Sequence, residues 1–247
     1  KNILFDMGGV IFRQNSEEAF RRFREAGVNT DEYMGEYGQK GFFLDVETGK
    51  IDAGEFCRRM AEAAGRESVG WDEAQYCWLG FIRDVPLNRL HNLLKLKEEY
   101  HICLLSNTNP FIMAFTRSDK FSDEHKPISD YFDTLFCSYE MQAYKPEPDI
   151  FLKALAADGM KAEETIFVDD SLKNIIIALC FSFYEQVKHN SFMIFDYWIR
   201  ISLTHQWLSE IKDNKENIND FITQSCDINH NTKDYHNRNR IFQVRLL

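Results

Sequence analysis

The sequence predicts an α/β fold: a Rossmann-like, doubly wound parallel sheet carrying a small all-helical cap after its first strand. Three observations predict it. The runs ILF near the start, HICLLS (101–106), TLFCS (134–138) and TIFVDD (165–170) are too apolar to face water on either side, as strands buried on both faces are. Amphipathic stretches of helical length alternate with the later runs, the pattern of a parallel sheet. Between the first run and the second, only helical spacing occurs.

Residues 1–7, KNILFDM, read as a short buried strand, which ends on Asp6 and gives way to Gly8 and Gly9. Two glycines leave room for close backbone contacts around the carboxylate. From Asn15 the pattern turns helical: Asn15 with Glu18 makes a capping box, Ala19, Phe20 and Phe23 form a stripe, and Gly27 stops it. A second helix runs from about Asp52, through Phe56, Met60 and Ala63, to Gly65. A third starts near Asp72. Pro86 begins a fourth, with Leu87, Leu90, Leu94 and Lys97 along one side. Residues 14–84 therefore read as a helical cap, and 1–13 with 85–189 as the core. A helix from Pro110 and another over 149–159, closed by Gly159, fill the later gaps, and FSFYEQV (181–187) suits a final strand.

The end of the chain differs. All twelve Gly lie at or before Gly159 and all five Pro at or before Pro148. An aromatic-rich stretch follows His189, and then an Asn/Asp/His/Lys-rich run from Lys212 to Arg240 that reads as disordered. Residues 190–247 are expected to be an appended segment outside the chemistry.

The net charge of −10 excludes a nucleic-acid binder that works by neutralising phosphates. The excess lies wholly in residues 1–174, with 21 basic and 31 acidic side chains. An acidic body that binds a phosphate needs a local cation, which points to a metal. Six Cys without a CxxC pair suit reduced core thiols, and no segment reads as a secretory signal or a bilayer span. A cytoplasmic protein without membrane partners is the expectation.

Four short motifs carry the chemistry. Asp6 ends the first strand, Ser106 and Asn107 the second, and Asp169 and Asp170 the strand TIFVDD, while Lys145 stands in AYKPEPD. Singly, each has an ordinary reading: turn residue, helix cap, surface lysine, helix cap. Together, most of them fall at the carboxyl ends of strands, where such sheets bind ligands. Two adjacent carboxylates on an apolar strand end repel each other, and a divalent cation relieves that.

FDMGGV, LLSNTN, YKPEPDIF and FVDDSLKN resemble, in order, the four motifs of the haloacid dehalogenase (HAD) superfamily. The resemblance covers about residues 1–188 and lies nearest the subfamily I phosphatases, in the branch of glucose-1-phosphate phosphatase and the amino-terminal domain of soluble epoxide hydrolase. It implies a Mg²⁺-dependent phosphatase of a small phosphorylated metabolite, with a sugar phosphate as the expected class. Asp6 would be the nucleophile that becomes an aspartyl phosphate. Ser106, Asn107 and Lys145 would hold the phosphoryl group. Asp6, the Gly8 carbonyl and Asp170 would bind Mg²⁺, with Asp169 nearby.

One position departs from the family. Gly8 stands where most family phosphatases carry a second Asp, the general acid/base for the leaving alcohol. Such help is typically worth ~10²–10⁴ in rate, so either a slower enzyme or a substrate whose leaving group needs less protonation is expected. The alternatives are a catalytically weak HAD-like binding or regulatory module and a metal-free 2-haloacid dehalogenase. The Asp169–Asp170 pair and the Gly8–Gly9 loop argue against the dehalogenase.

Overall fold

In the computed structural model, residues 1–35, 38–178 and 242–246 are described, and all fall in one compact unit. The strands are β1 (Asn2–Phe5), β2 (Arg13–Gln14), β3 (Met34–Gly35), β4 (Gly38–Gln39), β5 (Ile82–Asp84), β6 (His101–Ser106), β7 (Thr134–Cys137), β8 (Thr165–Asp169) and β9 (Phe242–Leu246). The helices are α1 (Ser16–Glu25), α2 (Thr30–Tyr33), α3 (Gly41–Glu47), α4 (Ala53–Ala63), α5 (Trp71–Leu79), α6 (Leu87–Lys97), α7 (Pro110–Thr116), α8 (Ser138–Met141) and α9 (Pro148–Ala157). Residues 172–178 are also helical.

The central sheet has the order β7-β6-β1-β8-β9. The first four strands are parallel. From β1 the chain adds β6 and β7 on one side, then returns to lay β8 on the other. The order thus reverses around β1, and a crevice for a ligand opens beyond its carboxyl end.

Period-two alternation gives the sheet two apolar faces. Ile3, Phe5, Ile102 and Leu104 lie on one, packed with Leu90 and Leu93 of α6. Leu4, Cys103, Leu105 and Phe167 lie on the other, packed with Ile150, Phe151 and Ala154 of α9 and with Ile175 and Ala178. Helices on both faces are what the doubly apolar strands require.

The helices begin where their caps put them. Asn15 Oδ1 accepts from the Glu18 amide at 3.2 Å, and Asp52 Oδ1 accepts from the Glu55 amide at 2.8 Å. Asn109 accepts from the Phe111 and Ile112 amides, 3.1 and 3.2 Å away, to start α7. The inserted helices pack around Phe23, Phe43, Phe56 and Trp78, with Phe23 edge-on to Phe43 at 4.9 Å and to Trp78 at 5.5 Å. Phe56 continues this cluster onto Phe111 of α7, ring centroids 5.3 Å apart.

The structure corrects two expectations. The insert is not all helical, because β2 pairs with β5 where the chain leaves and re-enters the core, and β3 pairs with β4. Two chain crossings lying side by side satisfy their backbone groups by pairing. The second correction concerns residues 190–247, of which 242–246 form β9, antiparallel to β8. The alternation of Phe242, Val244 and Leu246 suits a strand, but it follows a polar run that hides it. The expected strand over 181–187 and the remainder of 190–247 lie outside the described residues.

Candidate active site

The residues singled out at the strand ends converge. Asp6 directly follows β1 and donates its own amide to Val168 O at 2.8 Å, so neighbouring β8 fixes its position. Lys145 stands in the loop before α9, with only 2% of its surface exposed. Its Nζ donates to Asp6 Oδ1 and to Asp169 Oδ2, both at 2.7 Å. Asp169 is fully buried. Its Oδ1 accepts from the Ser171 amide at 2.7 Å, and the Asn174 amide group donates to both of its oxygens at 3.1 Å.

The lysine is aimed by its own backbone. Asn107, just past β6, accepts from the Lys145 amide at 2.8 Å and donates to the Lys145 carbonyl at 2.9 Å. The end of β6 therefore clamps the loop that delivers the ammonium. Ser106 is buried beside it, its hydroxyl 3.4 Å from the Asn107 carbonyl.

Asp170 completes the group. Oxygens of Asp6, Asp169 and Asp170 all lie within 4.8 Å of one another. Gly9 adopts φ +73°, and a Cβ there would stand 2.1 Å from Asp170 Oδ2. The second glycine of the loop is thus required twice, for its left-handed backbone and for the carboxylate resting on it. A Cβ at Gly8 would meet only the far end of the Gln14 side chain.

Electrostatics follow from this crowding. Burial raises the Asp6 carboxyl above its ordinary range against the pull of Lys145, and Asp169 adds to the rise. Asp170 is pushed up to about 7 by burial and then by Asp6 and Asp169. Burial alone would lower Lys145, but Asp6 and Asp169 outweigh it and the ammonium is held. Three carboxylates beside one ammonium leave negative charge uncompensated, which a further cation would offset. Oxygen donors of this kind fit Mg²⁺.

Sequence reasoning found Asp6, Lys145, Asp169 and Asp170, and the structure brings them together, with Lys145 touching Asp6 and Asp169 and with Asp170 beside them. It missed Asn174, which orients Asp169 five residues away and sits in the quoted FVDDSLKN. Glu47, buried at the end of α3, was missed too. It accepts from the Tyr144 hydroxyl at 2.9 Å, and its carbonyl accepts from the Ser138 hydroxyl at 2.6 Å. A carboxylate inside a stretch read as helical insert gives no sign of burial.

The haloacid dehalogenase-like hydrolase family model matches residues 1–181. The D-ribitol-5-phosphate phosphatase of Bacteroides thetaiotaomicron is 41% identical over 178 residues, 72% of this chain and 86% of that protein. A predicted HAD-like family hydrolase from Porphyromonas gingivalis superposes with a TM-score of 0.69 at 36% identity, over 73% of this chain and 87% of that one. A HAD family enzyme from Bacteroides thetaiotaomicron, solved in complex with magnesium and inorganic phosphate, superposes at 0.67 with 35% identity, over 73% and 90%. Among the described residues, no helix is long and apolar enough to cross a membrane.

Proposed function

The chain belongs to the haloacid dehalogenase-like hydrolases, and on that premise we propose that it is a Mg²⁺-dependent phosphatase of a small polyol or sugar phosphate. The observation that carries the reading is the buried contact of Lys145 with Asp6 and Asp169, beside Asp170. Asp6, Asp170 and the Gly8 carbonyl would hold the ion, with Asp169 behind them. When bound, Mg²⁺ offsets the repulsion between a carboxylate nucleophile and a phosphate dianion.

In this reading the Asp6 carboxylate attacks phosphorus, the ester P–O bond breaks, and the alkoxide leaves, taking its proton from solvent water. The aspartyl phosphate is then hydrolysed by water. Lys145 keeps Asp6 aimed and, with Ser106 and the main chain at Asn107, holds the phosphoryl oxygens. Gly8 offers no proton to the departing alkoxide, so the rate should follow leaving-group quality. The four described cysteines are free and buried, which supports placing the activity in the cytoplasm.

The test is phosphate release from D-ribitol 5-phosphate, a sugar 1-phosphate and glycerol phosphate, with Mg²⁺ and with EDTA. Turnover should vanish in EDTA, and the sugar 1-phosphate should be cleaved ahead of glycerol phosphate. Equal rates in EDTA would mean metal-free chemistry. Binding of these esters without turnover in Mg²⁺ would identify a binding module instead.

A further inference from the structure

A second cluster of ligand-type side chains lies at the far end of β6 from Ser106, about 16 Å along the strand at ~3.3 Å per residue. His101 and Cys103 are two residues apart in β6 and so face the same side of the sheet. That side is covered by α9, whose Ile150, Phe151 and Ala154 pack in one cluster with Cys103. Asp158, which caps the C-terminus of α9, meets both β6 side chains. Its Oδ2 lies 2.7 Å from His101 Nε2 and 3.4 Å from Cys103 Sγ. One atom from each of the three residues falls within 4.8 Å of the others.

A supporting layer stands behind the histidine. His101 Nδ1 faces Asp133 Oδ2 at 3.4 Å. Asp133 is itself fixed, accepting from the Ile102 amide at 2.9 Å and pairing with Lys97 Nζ at 3.3 Å. A carboxylate holding the far nitrogen of an imidazole is the usual support of a metal-bound histidine. The bland reading, a His–Asp contact tying α9 to the sheet, accounts for Nε2 and Asp158. It gives no role to the thiol that shares the same oxygen.

We propose that His101 Nε2, Cys103 Sγ and Asp158 Oδ2 form a zinc site, separate from the Asp6–Asp169–Asp170 centre. An N, S, O donor set selects Zn²⁺ over Mg²⁺ or Ca²⁺, and water completes the tetrahedron. Cys103 is buried while the His101 side chain is 37% exposed, which leaves an entry path. Binding expels the thiol proton to solvent, the neutral imidazole binds through a bare Nε2 with its one ring proton on Nδ1 toward Asp133, and no other bond changes. Zinc here fastens the end of α9 to β6, at the opposite end of the helix from the Lys145 loop.

The full chain, stripped of metal by a chelator and desalted, is titrated with Co²⁺ in excess Mg²⁺ and then with Zn²⁺. The expected result is a near-ultraviolet thiolate-to-cobalt absorption that saturates at one equivalent and is displaced by zinc. Cys103→Ser should abolish the band while its thermal melting stays cooperative. Asp133→Asn should keep the band but weaken binding by ~10–100-fold. If Cys103→Ser fails to fold, Asp158→Asn serves in its place and should weaken binding by at least ~10-fold. Absence of the band in the unsubstituted protein overturns the proposal. So does a band that survives Cys103→Ser, because the metal then sits on another thiol.

Discussion

Asp6 and Gly9 carry most of what single residues contribute to the site. Asp6→Asn keeps the shape of the side chain but removes the nucleophile and one negative charge. Phosphate release is expected to fall by on the order of 10⁴-fold or more, with an unchanged circular dichroism spectrum. Retention of a few per cent of turnover would rule out a covalent route through Asp6. Gly9→Ala puts a methyl 2.1 Å from Asp170 Oδ2 on a backbone at φ +73°. The left-handed conformation alone costs about 1–2 kcal/mol with a Cβ, and the displaced carboxylate should raise the Mg²⁺ concentration needed for half-maximal rate at least tenfold. A normal Mg²⁺ requirement in this variant would show that Asp170 does not depend on Gly9. Asp6, Lys145 and the Asp169–Asp170 pair were legible because each interrupts an apolar run or a turn with a charge. The contact between Gly9 and Asp170 was not, since 161 positions separate the two in sequence.

At the scale of elements, the long helices and core strands announced themselves through caps and apolar runs, whereas α2, α3 and the two ribbons did not. Those pieces have two to seven residues, too few for a period to show, and tertiary contacts decide them. The end of α3 matters because Glu47 joins the insert to the segment between β7 and α9, through Ser138 and Tyr144. Burial raises its carboxyl to about 7, against the hydrogen bond from Tyr144. The folded protein therefore holds a proton that the unfolded chain releases above its ordinary value of 4.5. Stability from this group is full below that value and falls as pH rises through the folded value, by about 3 kcal/mol in all. Glu47→Gln removes the titration but keeps an acceptor for Tyr144. Melting midpoints measured near pH 5 and near pH 8 should accordingly differ less in Glu47→Gln than in the parent. Parallel pH profiles for the two proteins would refute this account of Glu47.

For the whole molecule, the reversal of strand order around β1 puts the ends of β1, β6 and β8 at one crevice, and the alternation of apolar strands with helices was enough to anticipate it. The far edge of the sheet was not anticipated, because its strand comes from the last residues, some 70 positions beyond β8. The pairing runs from Thr165 opposite Leu246 to Asp169 opposite Phe242, along the strand that carries the site aspartates. Removing residues 241–247 leaves the backbone groups on that side of β8 without strand partners, and an open edge invites association between copies. Net worth of ~0.5–1.5 kcal/mol per backbone hydrogen bond puts the loss at a few kcal/mol. Asp6 and Asp169 should still meet Lys145, since the β1–β8 pairing and the Asn107 clamp are untouched. The shortened chain should therefore melt at a lower temperature and associate more readily as concentration rises, yet keep its Mg²⁺ requirement. A second chain ending at His189 separates β9 from the residues before it, and equal midpoints for the two assign the whole loss to the strand. A midpoint unchanged on removal of 241–247 would mean that β9 contributes nothing to the sheet. Loss of activity in a chain that still folds would mean instead that β9 holds Asp169 in place.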